Sequence, residues 1–117
     1  MIHQDILNKI KDYCKRKNLR LFLCEKDNEV ITGIISNNKN VVYFQQGTFS
    51  DGLTFTTCYK ANSQSGTGRV IAEQVFDMQH LDIASLLNGP HYGDEKYYDL
   101  ETYLEDHKYM NYKETLL

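Results

Sequence analysis

The sequence predicts an α+β domain: an antiparallel meander of about five strands, with an N-terminal helix before it and two C-terminal helices after it. Three observations lead there. Residues 2–17 repeat apolar side chains every three or four positions, the period of a helix. Residues 19–76 hold five short runs rich in β-branched, aromatic and leucine residues, most of them separated by tight-turn chemistry. After residue 77 the helical period returns. Consecutive tight turns favour antiparallel neighbours over parallel crossovers, so the order is α-β-β-β-β-β-α-α, with the helices covering one face of the sheet.

In the first element Ile2, Ile6, Leu7, Ile10, Tyr13 and Cys14 form one apolar stripe. Asp5 sits in its early turn. Lys15, Arg16 and Lys17 crowd its last turn, where cations suit the negative end of the helix dipole, and Asn18 can stop it. Residues 19–25 (LRLFLCE) alternate Leu21 and Leu23 with Phe22 and Cys24 on opposite faces. Lys26-Asp27-Asn28 is turn chemistry, residues 30–36 (VITGIIS) make the next strand, and Asn37-Asn38-Lys39-Asn40 is a clear hairpin turn, because asparagine tolerates positive φ. Residues 41–46 (VVYFQQ), the turn Ser50-Asp51-Gly52, residues 53–60 (LTFTTCYK), a loop at 61–68 and residues 69–76 (RVIAEQVF) complete the sheet.

Asp77 is a candidate N-cap for a helix over 78–87, with Leu81, Ala84 and Leu87 inward and Gly89-Pro90 ending it. Residues 91–96 read as an irregular polar loop. Asp99 can cap a second helix over 100–109, with Leu100, Tyr103, Leu104 and Tyr109 on its apolar side.

The chain of 117 residues is expected to be one domain, 1–117, long enough for a single core. Cys14, Cys24 and Cys58 make an odd count without CxxC spacing, so neither a disulfide framework nor a zinc site is expected, and a reduced, cytoplasmic setting is. The N-terminus lacks the apolar core of a signal peptide, and no run approaches the roughly 18 apolar residues of a membrane helix.

Catalytic chemistry finds little support. The cysteines fall on a helix face and in strands, where free thiols behave as small core residues. His80, His91 and His107 stand near Asp82, Asp94 and Asp106, but no pair has HxH, HxxxH or HExxH spacing, so no metal is expected. Ser65-Gly66-Thr67-Gly68-Arg69 is glycine-rich but lacks the ending of a phosphate loop and leads into a strand, so no nucleotide cofactor is expected. The pairs Asp94/Glu95 and Glu105/Asp106 read as a solvated face, not as a cleft with split pKa values.

Charge is distributed unevenly. Residues 73–117 carry ten carboxylates against three lysines, a net of −7, and six of the nine tyrosines. Residues 1–72 carry ten cations against six carboxylates, a net of +4. Tyrosine offers large contact area at low entropic cost, and carboxylates around it steer a basic partner. Tyr97 and Tyr98 are adjacent, so both cannot face the core. The expected partner-binding residues are therefore Tyr92, Asp94, Glu95, Tyr97, Tyr98, Asp99, Glu101 and Glu105. The partner expected is a basic protein, with no direct contact to nucleic acid or membrane.

Residues 43–70 (YFQQGTFSDGLTFTTCYKANSQSGTGRV) run a strand into a Tyr-Lys-x-Asn step and then Gly-Thr-Gly. In this segment, and in its size, layout and acidic face, the chain resembles the small immunity proteins of bacterial contact-dependent growth inhibition and related polymorphic toxin systems. The resemblance covers about a quarter of the chain and carries no binding residue over. It implies a cytoplasmic antitoxin whose partner is the C-terminal nuclease domain of a secreted toxin. The alternative is a phage anti-defence inhibitor, such as an anti-CRISPR or anti-restriction protein, against which the net +4 of residues 1–72 counts. A small-ligand-binding domain or enzyme using His91, Asp94 or the loop 66–69 ranks last.

Overall fold

The spine of the structure, a computed structural model, is one antiparallel sheet, and the described residues are 1–46, 53–60, 68–76, 83, 87, 96–97 and 99–117. Helix α1 is Gln4–Lys17. The strands are β1 Arg20–Lys26, β2 Glu29–Ser36, β3 Val41–Gln46, β4 Leu53–Lys60, β5 Gly68–Phe76, β6 Lys96–Tyr97 and β7 Lys113–Glu114. Helix α2 is Leu100–Asp106, followed by a 3-10 turn, Lys108–Met110. The sheet runs β5-β4-β3-β2-β1-β7, so the five long strands form the expected meander. β6 lies against the end of β4, pairing Tyr59 with Tyr97 and Lys60 with Lys96.

Local chemistry sets the boundaries. Asn18 ends α1 in the left-handed conformation (φ 55°), and its N–H returns to the carbonyls of Cys14 and Lys15. Asp27 and Asn28 both have positive φ (55° and 66°), the signature of a two-residue hairpin turn whose twist matches the flanking strands. At the β2–β3 turn, Asn37 Oδ1 accepts from the N–H groups of Lys39 (3.1 Å) and Asn40 (2.8 Å), while Asn38 takes the positive φ of 77°.

The two faces of the sheet differ in what covers them. Leu21, Leu23, Ile35, Val42, Phe44, Leu53 and Phe55 point to the face occupied by α1, whose Ile6, Leu7, Ile10, Tyr13 and Cys14 are buried there. Ile83 and Leu87, both helical, fill the same core. The Phe44 and Phe55 ring centroids lie 5.8 Å apart. Gly33 stands opposite Phe44 in the β2–β3 register; a Cβ there would collide with the Phe44 ring and stand 2.9 Å from the Phe22 carbonyl oxygen. Phe22, Ile34 and Val41 alternate to the other face and pack against Leu100 and Tyr103 of α2.

Covering one face only was therefore the wrong expectation: α1 and α2 sit on opposite faces. β1, β2 and β3 are apolar on both sides, as strands sandwiched between layers must be. Of the two expected C-terminal helices, α2 is present but ends at Asp106, not at residue 109. The expected helix over 78–87 is described only at Ile83 and Leu87, and Ile83, fully buried, was missing from its inward set. Its expected cap Asp77, with Leu81, Ala84 and the stop at Gly89-Pro90, lies outside the described residues, as do the turn at 50–52 and the loop at 61–67. Residues 96–97, expected in or beside a loop, are paired strand.

Candidate acidic interface

The β2–β3 turn anchors the candidate site. Asn40 donates its side-chain N–H to the Leu87 carbonyl on the α1 side. On the other side the Asn38 carbonyl accepts from Leu100 N–H at 3.1 Å, satisfying a donor that a helix start would otherwise leave open. Asp99 caps the same end: its Oδ1 accepts from Thr102 N–H at 2.7 Å, as the sequence predicts. Leu100 and Tyr103 then lock the inner side of α2 to Phe22, Ile34 and Val41, with Tyr43, Cys58, Leu104 and Tyr112 at the margin.

A helix seated in this way presents a fixed outer surface. Asp99, Glu101, Glu105 and Asp106 are all exposed on it. Glu101 and Glu105 are one turn apart, a like-charge spacing that destabilises a helix by a few tenths of a kcal/mol. Lys108 pairs with Glu105 at 2.7 Å, both groups well exposed. Beside the helix start lies a concavity of about 510 Å³ lined by Arg20, Asn38, Asp99, Leu100, Glu101 and Leu104.

Arg20 adds a cation to that concavity, but one already matched. Its Nε and Nη2 donate to the two carboxylate oxygens of Glu114, both at 2.8 Å, and its Nη1 donates to Asn38 Oδ1 at 2.9 Å. Its guanidinium carbon sits 5.2 Å from the Phe22 ring centroid. The bidentate bond holds the Glu114 carboxyl below the ordinary carboxylate range.

The inner side of the site is aromatic and polar. The His107 ring stacks on Tyr103 at 4.0 Å, and its Nδ1 lies 2.9 Å from the Tyr103 carbonyl oxygen. Tyr103 and Tyr112 ring centroids are 6.2 Å apart. Burial pushes the phenols of Tyr43, Tyr103 and Tyr112 upward, so they stay protonated. Burial likewise pushes the thiols of Cys14 and Cys58 up to about 12, which keeps both protonated at neutral pH and poor as nucleophiles.

Of the expected partner-binding residues, Asp99, Glu101 and Glu105 are brought onto one surface, and Tyr97 enters through the backbone of β6, two residues before the α2 cap. Tyr92, Asp94, Glu95 and Tyr98 lie outside the described residues, as do His80, His91 and Asp94 of the metal and ligand readings. Tyr109 corrects the reading of the helix. It was expected on the apolar side and is 74% exposed, its ring 6.0 Å from that of His107. The inward stripe continues through Leu100, Tyr103, Leu104 and half-buried His107, which is the i, i+3, i+4, i+7 pattern; Tyr109 is off it. That signal was in the sequence. The contribution of Arg20 and Asn38 was not, since both reach the site through strand pairing. No protein-family model, curated protein or solved structure matches the chain.

Proposed function

We propose that this protein is an immunity protein: it binds and neutralises a cognate toxin domain, a nuclease or comparably basic protein, through the outer surface of α2 and the segment leading into it. One observation carries the reading. The two described helices carry opposite charge on opposite faces of the sheet. Helix α1 has five cations and two carboxylates, a net of +3, while α2 on the opposite face has three carboxylates and no cation, a net of −3. A molecule so divided orients itself in the field of a basic partner and meets it acidic side first. Asp99 and Glu101 line the concavity together with Leu100 and Leu104 and offer carboxylates beside an apolar surface, which suits the stem and head of lysine or arginine. Exposed Tyr109 adds an aromatic contact near the other end of the helix. The compartment that goes with this function is the cytoplasm, where the delivered toxin domain acts.

Co-expression with the toxin encoded beside its gene tests the reading. Wild-type chain is expected to protect cells. The variant E101K/E105K/D106K is expected to lose protection and to bind the purified toxin domain at least about a hundredfold more weakly, mostly through slower association at low salt. Equal protection by wild type and variant would remove α2 from the interface.

A further inference from the structure

Along the outer edge of β1 the sheet ends in a short segment that also covers a thiol on the α2 side. Residues 110–115 run along the outer edge of β1. The Met110 carbonyl accepts from Cys24 Sγ at 3.0 Å. Asn111 then turns the chain in the left-handed conformation (φ 54°), and Tyr112 packs half-buried against the Phe22–Ile34 cluster. β7 pairs Glu114 with Phe22 and Lys113 with Leu23, and Thr115 N–H donates to the Leu21 carbonyl at 2.8 Å. Two side chains fasten it: Tyr112, which also hydrogen-bonds with Tyr103, and Glu114 through its pair with Arg20, whose partners are 45% and 41% exposed. Beyond Thr115, Leu116 is 97% exposed and Leu117 43%. Across the same strand, β1 is held to β2 by a ladder running its full length, from Arg20–Ser36 to Lys26–Glu29. Cys24 is buried on this face, beneath the 3-10 turn that leads into the segment.

We propose that residues 110–115 form a releasable strap: it unfastens from β1 as a unit, Met110 included, and bares Cys24 and the backbone edge of Phe22 and Leu23 while the rest of the sheet stays folded. Opening of this kind is expected where few bonds and little apolar area hold a segment down. It uncovers an unpaired strand edge. Cys14 supplies the internal control. It is fully buried on the inner side of α1, against the opposite face of the sheet, and becomes reachable only if the domain itself opens.

Pulsed alkylation with iodoacetamide at pH 8, read cysteine by cysteine by mass spectrometry, tests the strap on the full chain. Cys24 is expected to label at least about tenfold faster than Cys14. Glu114→Gln, which removes the ion pair, is expected to speed Cys24 by about three- to fivefold with Cys14 unchanged. Thr115→Pro, which removes the N–H to Leu21 without touching a charge, is expected to speed it by about tenfold. Equal labelling of Cys14 and Cys24 in the wild type would overturn the proposal. So would unchanged Cys24 labelling in both variants, or an equal acceleration of Cys14 and Cys24.

Discussion

The two faces of the sheet are built from different materials. On the α1 side a fourteen-residue helix closes over leucine, isoleucine, valine and phenylalanine, with Gly33 kept bare so that the Phe44 ring can lie across it. On the α2 side a seven-residue helix and the tail close over Phe22, Ile34 and Val41, together with three tyrosines and a cysteine. The α1 side is a hydrophobic core, where volume decides stability. The α2 side carries the acidic surface, the concavity and the strap, and its hydroxyl-rich margin sacrifices some apolar burial. Under the proposed function, stability and recognition fall to opposite faces of one sheet, and substitutions should separate them.

The largest effect is expected on the α1 side. Phe44→Ala should cost about 3–5 kcal/mol in urea unfolding by leaving a cavity over Gly33. Gly33→Ala should cost about 1–3 kcal/mol by overpacking against Phe44 and the Phe22 carbonyl. In both variants the folded fraction should bind the partner with wild-type affinity. A loss of affinity would show that the two faces are coupled.

Asp99 sharpens the comparison, because it caps α2 and, under the proposed function, also contacts the partner. Asp99→Ala removes the cap to Thr102 and should cost about 1 kcal/mol in thermal or urea unfolding. Asp99→Ser keeps a capping oxygen and discards the charge, so it should unfold like wild type yet bind the partner more weakly. Wild-type binding by Asp99→Ser would restrict Asp99 to capping.

The smallest effect is at the strap. Arg20 holds the Glu114 carboxyl low in the folded state, so the pair contributes stability at pH values above the ordinary carboxylate range. That contribution is lost as pH falls through the lowered folded value. Arg20, shifted upward, stays charged throughout. Because the pair is exposed, its contribution should be under about 1 kcal/mol and should shrink in salt. Comparing acid unfolding of wild type and Glu114→Gln would show it. Identical curves would mean that the pair holds nothing down.

The α1 boundary at Asn18, the turn at Asp27-Asn28, the strands at 41–46 and 53–60 and the cap at Asp99 were all legible in the sequence. Each rests on a local cause: side-chain period, tolerance of positive φ, or a short side chain that reaches its own backbone. The acidic character of the C-terminal third was legible for the same reason, since charge is additive along a chain. Which carboxylates share a surface was only half legible. The helical period put Glu101 and Glu105 together, but Arg20 and Asn38 join Glu101 from residues about eighty and sixty positions away.

The tertiary structure alone decided that α1 and α2 lie on opposite faces. The alternation of Leu21, Phe22, Leu23 and Cys24 showed that β1 has two apolar faces, yet no local rule says which helix covers which. That choice follows from long-range contacts: Leu100 N–H bonded to the Asn38 carbonyl, Asn40 bonded to Leu87, and the tail laid along β1. Composition along the chain therefore established that the protein has an acidic part and a basic part. The sheet between α1 and α2 set the charges of those two helices on opposite sides.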